Sequence, residues 1–123
     1  MSNEIKVKVN DVEYAPKQAT SQPAQTLDGM PYVIVRSRDA ATFAGYMKSR
    51  DGREVELLKA RRIWFWEGAA TLSQLAQTGT AKPDLCKFPQ EVDRVQLLEA
   101  CEILSCTEEA RLSIASVKNW VES

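Results

Sequence analysis

Hydrophobic and polar positions alternate from the start of the chain. Ile5, Val7 and Val9 are separated by Lys6 and Lys8, and Asn10-Asp11 then leads into Val12-Glu13-Tyr14. Period two on both sides of a two-residue turn predicts a small hairpin. Residues 15–29 carry Pro, Gln, Ser, Thr and Ala with almost nothing to bury, which predicts a linker or an arm hugging the surface. From Pro31 the pattern tightens. Residues 32–36 are largely apolar and suit a covered strand, and residues 42–49, with Phe43, Gly45, Tyr46 and Met47, suit a second. Asp51-Gly52 supplies turn chemistry, after which 53–59 predicts a third strand and 61–66 a fourth, an antiparallel meander.

Helical signals follow. Thr71-Leu72-Ser73-Gln74 has the form of a capping box, Leu72, Leu75 and Ala76 supply an apolar face, and Gly79 can end the short helix. Residues 80–91, with Pro83 and Pro89, predict a loop, and 93–106 carry enough Val, Leu and Ile for one long last strand. Thr107 can cap a final helix with Glu108 and Glu109 at its positive end and Ala110, Ile114, Val117 and Val121 as its stripe. The expected fold class is α+β, an antiparallel sheet meander with one short helix and one C-terminal helix. The expected division is a hairpin and linker arm over 1–29 and a compact domain over 30–123.

Composition narrows the function. A chain of 123 residues, 44% hydrophobic and 27% charged, has room for one modest core. Its net charge of −1 leaves no global basic field to hold duplex nucleic acid or an anionic membrane, so any anion must be held locally. No stretch approaches the roughly 18 to 20 apolar residues of a membrane span. Histidine is absent, which removes the commonest general base and most zinc chemistry and argues against an enzyme. Cys86, Cys101 and Cys106 are odd in number, and no secretory leader precedes them, so reduced thiols in a cytoplasmic protein are expected. Cys101 and Cys106 lack further ligands nearby, and no metal site is expected.

The segment from Arg61 to Thr71 is the place for chemistry. Strand alternation would send Arg62, Trp64 and Trp66 to one face and Arg61, Ile63 and Phe65 to the other, pairing a guanidinium with two indoles. Gly68, Ala69 and Ala70 then lead into a helix start, where free N–H groups can hold a phosphate while a base stacks on an indole. The competing reading is plain core packing, since aromatic stripes in strands usually pack, with solvated arginines. Glu54 and Glu56 fit a solvated edge, Arg111 and Lys118 an ordinary wet helix face, and Ser73 has no base partner. No Walker or Rossmann phosphate loop occurs.

These residues carry a resemblance. The run Glu4 to Val12, Tyr32-Val33-Ile34-Val35-Arg36, Phe43-Ala44-Gly45-Tyr46, above all Arg61-Arg62-Ile63-Trp64 through Gln74-Leu75-Ala76, and then Lys82-Pro83-Asp84 and Cys86-Lys87-Phe88 are similar to the Thoeris anti-defence sponge family of phage proteins. The similarity spans nearly the whole chain. It implies a non-enzymatic phage protein in the cytoplasm of the infected bacterium that sequesters cyclic ADP-ribose isomer signals without cleaving them and needs no cofactor. It also implies assembly of homodimers into a hexamer, and in some members a separate site for cyclic dinucleotides or trinucleotides of a second anti-phage system, CBASS. Under this resemblance the candidate ligand-binding residues are Phe43, Arg61, Arg62, Trp64, Trp66, Gly68, Ser73, Gln74 and Phe88, and Thr107 and Arg111 form a candidate second anion site. A nanomolar site corresponds to roughly −12 kcal/mol, which favours a pocket closed by two chains. The alternatives are a structural or protein-binding phage accessory and a nucleotide-signal hydrolase.

Overall fold

The structure, a computed structural model, describes residues 8–9, 12–13 and 22–122. Strands β1 (Lys8–Val9) and β2 (Val12–Glu13) pair antiparallel with Val9 opposite Val12, the register a two-residue turn requires. The expected turn residues Asn10 and Asp11, and most of the expected arm, lie outside the described residues. The last part of that arm lies against the body: Ala24 N–H donates to Cys106 O (3.0 Å), and Gln25 N–H donates to the Glu108 carboxylate (2.7 Å).

The body is α+β. Its five strands are β3 (Tyr32–Ser37), β4 (Ala41–Asp51), β5 (Glu54–Arg62), β6 (Val92–Leu97) and β7 (Ala100–Ser105), all antiparallel to their neighbours in the order β6-β5-β4-β3-β7. Two helices, α1 (Leu72–Thr78) and α2 (Glu108–Ser116), complete it. The expected long strand over 93–106 is therefore two strands on opposite edges of the sheet, joined by Leu98 and Glu99. A flat five-stranded sheet would hold its outer strands about 19 Å apart, whereas two linking residues reach about 11 Å. Closure follows: the sheet curls until its edges meet at that corner.

The core has the same shape. Val33 and Val35 of β3, Phe43 of β4, Val55, Leu57 and Ala60 of β5, Leu97 of β6 and Ala100 of β7 form one buried cluster containing no helical residue, the inside of the curl. The alternate residues Tyr32, Ile34 and Ala44 face outward into a second cluster with Leu75 and Ala76 of α1, Ala110 and Ile114 of α2, and Phe88. Burial on both faces explains the continuous apolar run at 32–35.

Two bulges bend the long strands. Gly45 opposes both Lys59 and Ala60, and further along β4 an extra residue falls between Met47 and Ser49. An extra residue raises local twist and reverses the in–out alternation beyond it. The expected third and fourth strands are thus one strand: Lys59 takes φ of +49°, and Arg61 then faces α2 while Arg62 faces inward to Phe43. The strand ends at Arg62, and beyond it Ile63 N–H still donates to Thr42 O (2.8 Å) while Phe65 forms an isolated bridge with Lys87. Alternation beyond Arg62 is lost, so the expected shared face of Arg62, Trp64 and Trp66 does not form.

Candidate functional site

Between α2 and the outer wall of the sheet lies an open cleft of about 640 Å3, within the size range of small-ligand sites. Tyr32 and Tyr46 line it with their rings edge to face at 5.0 Å, and Lys59, Arg61 and Arg111 bring three cations to it against Glu91 and Asp93. Arg61 and Arg111, expected at two separate sites, thus line one cleft. Desolvation pushes the Tyr32 phenol well above its ordinary value, so it enters the cleft as a neutral hydroxyl.

Arg61 is 7% exposed and its guanidinium serves backbone carbonyls: Pro89 (3.0 Å), Ile114 (2.8 Å), Phe88 (3.2 Å) and Val117 (2.5 Å), with Asn119 Oδ1 at 3.1 Å. The last turn of α2 has no basic residue of its own, and Arg61 supplies that charge from the sheet. The expected stripe through Val121 ends early: α2 finishes at Ser116, residues 118–120 run out along Phe88, and Val121 is exposed.

Thr107 caps α2 as its position predicts, accepting from Ala110 N–H (3.1 Å) and donating to Gln77 O (2.6 Å). Arg111 grips Glu108 with two donors, Nε to Oε1 at 3.0 Å and Nη2 to Oε2 at 2.5 Å. That fork, joined by the Gln25 N–H, holds the Glu108 carboxyl down at about 2, and the same contact raises Arg111. Among the expected anion-binding residues, then, Arg111 already has a carboxylate partner.

The remaining candidates separate. Phe43 is buried inside the curl with the Arg62 guanidinium 4.4 Å above its ring, and Arg62 donates to Ala40 O (2.9 Å). Phe88 is fully buried under Arg61, so its ring supports the wall rather than offering a stacking face. Gly68 takes φ of +85° and packs so closely on the 80–82 backbone that a side chain would collide with Ala81 and Lys82. Half of the expected capping box forms: Thr71 Oγ1 accepts from Gln74 N–H, but Gln74 Oε1 accepts from Ala70 N–H rather than from the Thr71 N–H of a full box, and Ser73 is exposed. The arginine clamp expected over residues 68–73 is not formed, because Arg61 is tied to α2 and Arg62 to Phe43.

The indoles take different places. Trp66 is half-buried against the outer core and donates to Ala69 O (3.0 Å), the packing role. Trp64 is 58% exposed and stacks on Trp120 at 6.2 Å and 11° between planes. Lys87 Nζ lies 5.6 Å from the Trp120 ring and 5.8 Å from that of Phe65, itself exposed. Neither indole lines the cleft; Asn119, which does line its wall, precedes Trp120 in the chain. Trp120, Lys87, Lys59 and the two tyrosines were not legible as site residues. Trp120 stands where the sequence continues a helical stripe, and the bulge that turns Lys59 into the cleft has no local signature.

Among the described residues no group of three His, Cys, Asp or Glu could hold a metal ion, and no helix is long and apolar enough to cross a membrane. Fold and site define a curled five-stranded sheet with two helices on its outer face, a cation-lined cleft and an exposed aromatic shelf. Residues 30–114 match the family described as Domain of unknown function (DUF6948), and the chain belongs to that family. No curated protein and no solved structure matches the chain.

Proposed function

We propose that this protein is a phage anti-defence sponge that binds cyclic ADP-ribose isomer signals of bacterial Thoeris immunity and holds them without cleavage. The reading rests on the sequence resemblance, and one geometric observation carries it: Trp64 and Trp120 form an exposed, stacked indole pair with the Lys87 ammonium over it, and Asn119, next to Trp120 in the chain, lines a cleft that Lys59 also lines. An adenine can stack on the outer indole while its pyrophosphate is drawn toward the cations. Tight, slow release is all that a sponge needs, and no acid–base pair is required. In this reading the protein works in the cytoplasm of the infected cell, as homodimers gathered into a hexamer. Arg111, repeated around an axis beside the helix start that Thr107 caps, binds cyclic di- or trinucleotides at a separate site once Glu108 releases it.

Calorimetric titration with purified cyclic ADP-ribose isomers tests this directly. Binding is expected, with the ligand recovered intact after heat denaturation of the protein. Trp64→Ala and Trp120→Ala should each weaken it by roughly tenfold or more at unchanged melting temperature, given about 1–3 kcal/mol per stacked base. A cleaved product would make the protein a hydrolase. Normal binding by both folded variants would remove the shelf from the site, and no nucleotide binding at all would leave a structural or protein-binding accessory.

A further inference from the structure

At the opposite ends of the strands that line the α2 cleft, the end of β3, the β4–β5 turn and the start of β7 enclose an open groove of about 840 Å3. Arg36, Arg38, Arg50 and Arg53 line it against only two carboxylates, Glu99 and Glu102, and no residue lines both this groove and the cleft. In a chain of net charge −1 this is a local excess of two positive charges. Sheet closure creates it. Ala100 N–H donates to Arg53 O (2.9 Å) and Arg38 N–H to Glu99 O (3.0 Å), so the β6–β7 turn draws arginines of three segments to one corner.

These guanidinium groups are incompletely used. Arg36 donates through Nε to Glu102 (3.0 Å), Arg38 stands 3.9 Å from Glu99, and Arg50 donates through Nε to Gly52 O (2.8 Å). Among the described residues the Arg53 side chain has no hydrogen-bond or ion-pair partner. Four like charges around one groove repel, and a multivalent anion relieves that repulsion while taking the planar forks two donors at a time. The rest of the lining is small or aliphatic apart from the Cys101 thiol, with no aromatic face and no amide to read a base. We propose that this corner binds linear oligophosphates, free or as the tail of a nucleoside polyphosphate, through its guanidinium groups and without regard to the base. The proposal does not depend on the signal-binding reading.

Cys101 reports on the groove, because it is exposed within it while Cys86 and Cys106 are buried. Its alkylation rate in the intact protein is followed with inorganic tripolyphosphate, ATP, CTP, orthophosphate and a short single-stranded oligonucleotide, at constant ionic strength. Tripolyphosphate, ATP and CTP should protect Cys101 at similar concentrations, at least about tenfold below orthophosphate. An Arg50→Gln/Arg53→Gln variant should need about tenfold more. Glu99→Gln should need less, a gain no folding defect produces. Absent protection, protection unchanged in the double variant, or a dependence on the base would overturn the proposal. Stronger protection by the oligonucleotide would overturn it too, in favour of a phosphodiester-backbone surface.

Discussion

Arg61 illustrates how far one side chain can be from its apparent role. In sequence it stands beside Arg62 and Trp64 as an anion-binding candidate, and in the fold it fastens α2 and the Phe88-Pro89 segment to the sheet through four carbonyls. Burial lowers its proton affinity, yet arginine stays charged and the carbonyls satisfy it. Arg61→Ala leaves buried acceptors without donors and should cost about 3 kcal/mol, with Arg61→Lys recovering only part because an ammonium lacks the fork. Urea unfolding at constant m checks this, and a loss below about 1 kcal/mol would refute the fastening role. Glu108 makes a second prediction. Its carboxyl falls from 4.5 to about 2 on folding, through Arg111 first and the Gln25 N–H second. A lowered value means that the contact stabilises fully above 4.5 and that its contribution fades as pH drops toward 2. The melting temperature of Glu108→Gln should therefore vary less than that of the parent across this window, and parallel profiles would count against the latch.

The elements show which signals are local and which are not. Both helix caps, the pairing of β1 with β2 and the apolar run of β3 were legible, because each depends on neighbours within a few residues, and the β4–β5 turn fell at Gly52-Arg53, one residue beyond the expected Asp51-Gly52. The division of 93–106 into two strands was not, since Val92–Leu97 and Ala100–Ser105 differ only in which distant strand they meet. The aromatic shelf was half legible: Trp64 stood out, but its partner Trp120 lies at the far end of the chain. The β5 bulge links these failures to the site. Gly45 is needed opposite it, because a side chain there would come within 3.0 Å of the Ala60 backbone, and Gly45→Ala should destabilise by about 1–3 kcal/mol. Lys59→Gly removes a left-handed lysine, and a gain of roughly 0.5–1 kcal/mol is expected with loss of a cleft cation. Thermal unfolding and ligand titration of the same variant should move in opposite directions. Movement in one direction would separate the strained backbone from binding.

For the molecule as a whole, the exposed Trp64, Phe65, Trp120 and Val121 are a large apolar load for 123 residues to leave in water. A second copy seated there would cover them and close the open cleft, the two-chain pocket that tight binding favours. Light scattering at micromolar concentration should give at least a dimer, and Trp64→Glu should shift it toward monomer. A monomer that still binds nucleotide tightly would exclude the shared pocket. The corner at Leu98 and Glu99 also sets the order in which the chain can be finished. β7 pairs with β3, so Val35 meets Ile103 only after the whole intervening sequence has been made. During synthesis β3, β4 and β5 can zip as successive hairpins, but the inner apolar face stays open to water until the ribosome has released residues 92–105. The nascent protein is therefore a sticky half-shell from the completion of β5 until β7 is in place, and the two residues of the corner are the clasp that ends that exposure.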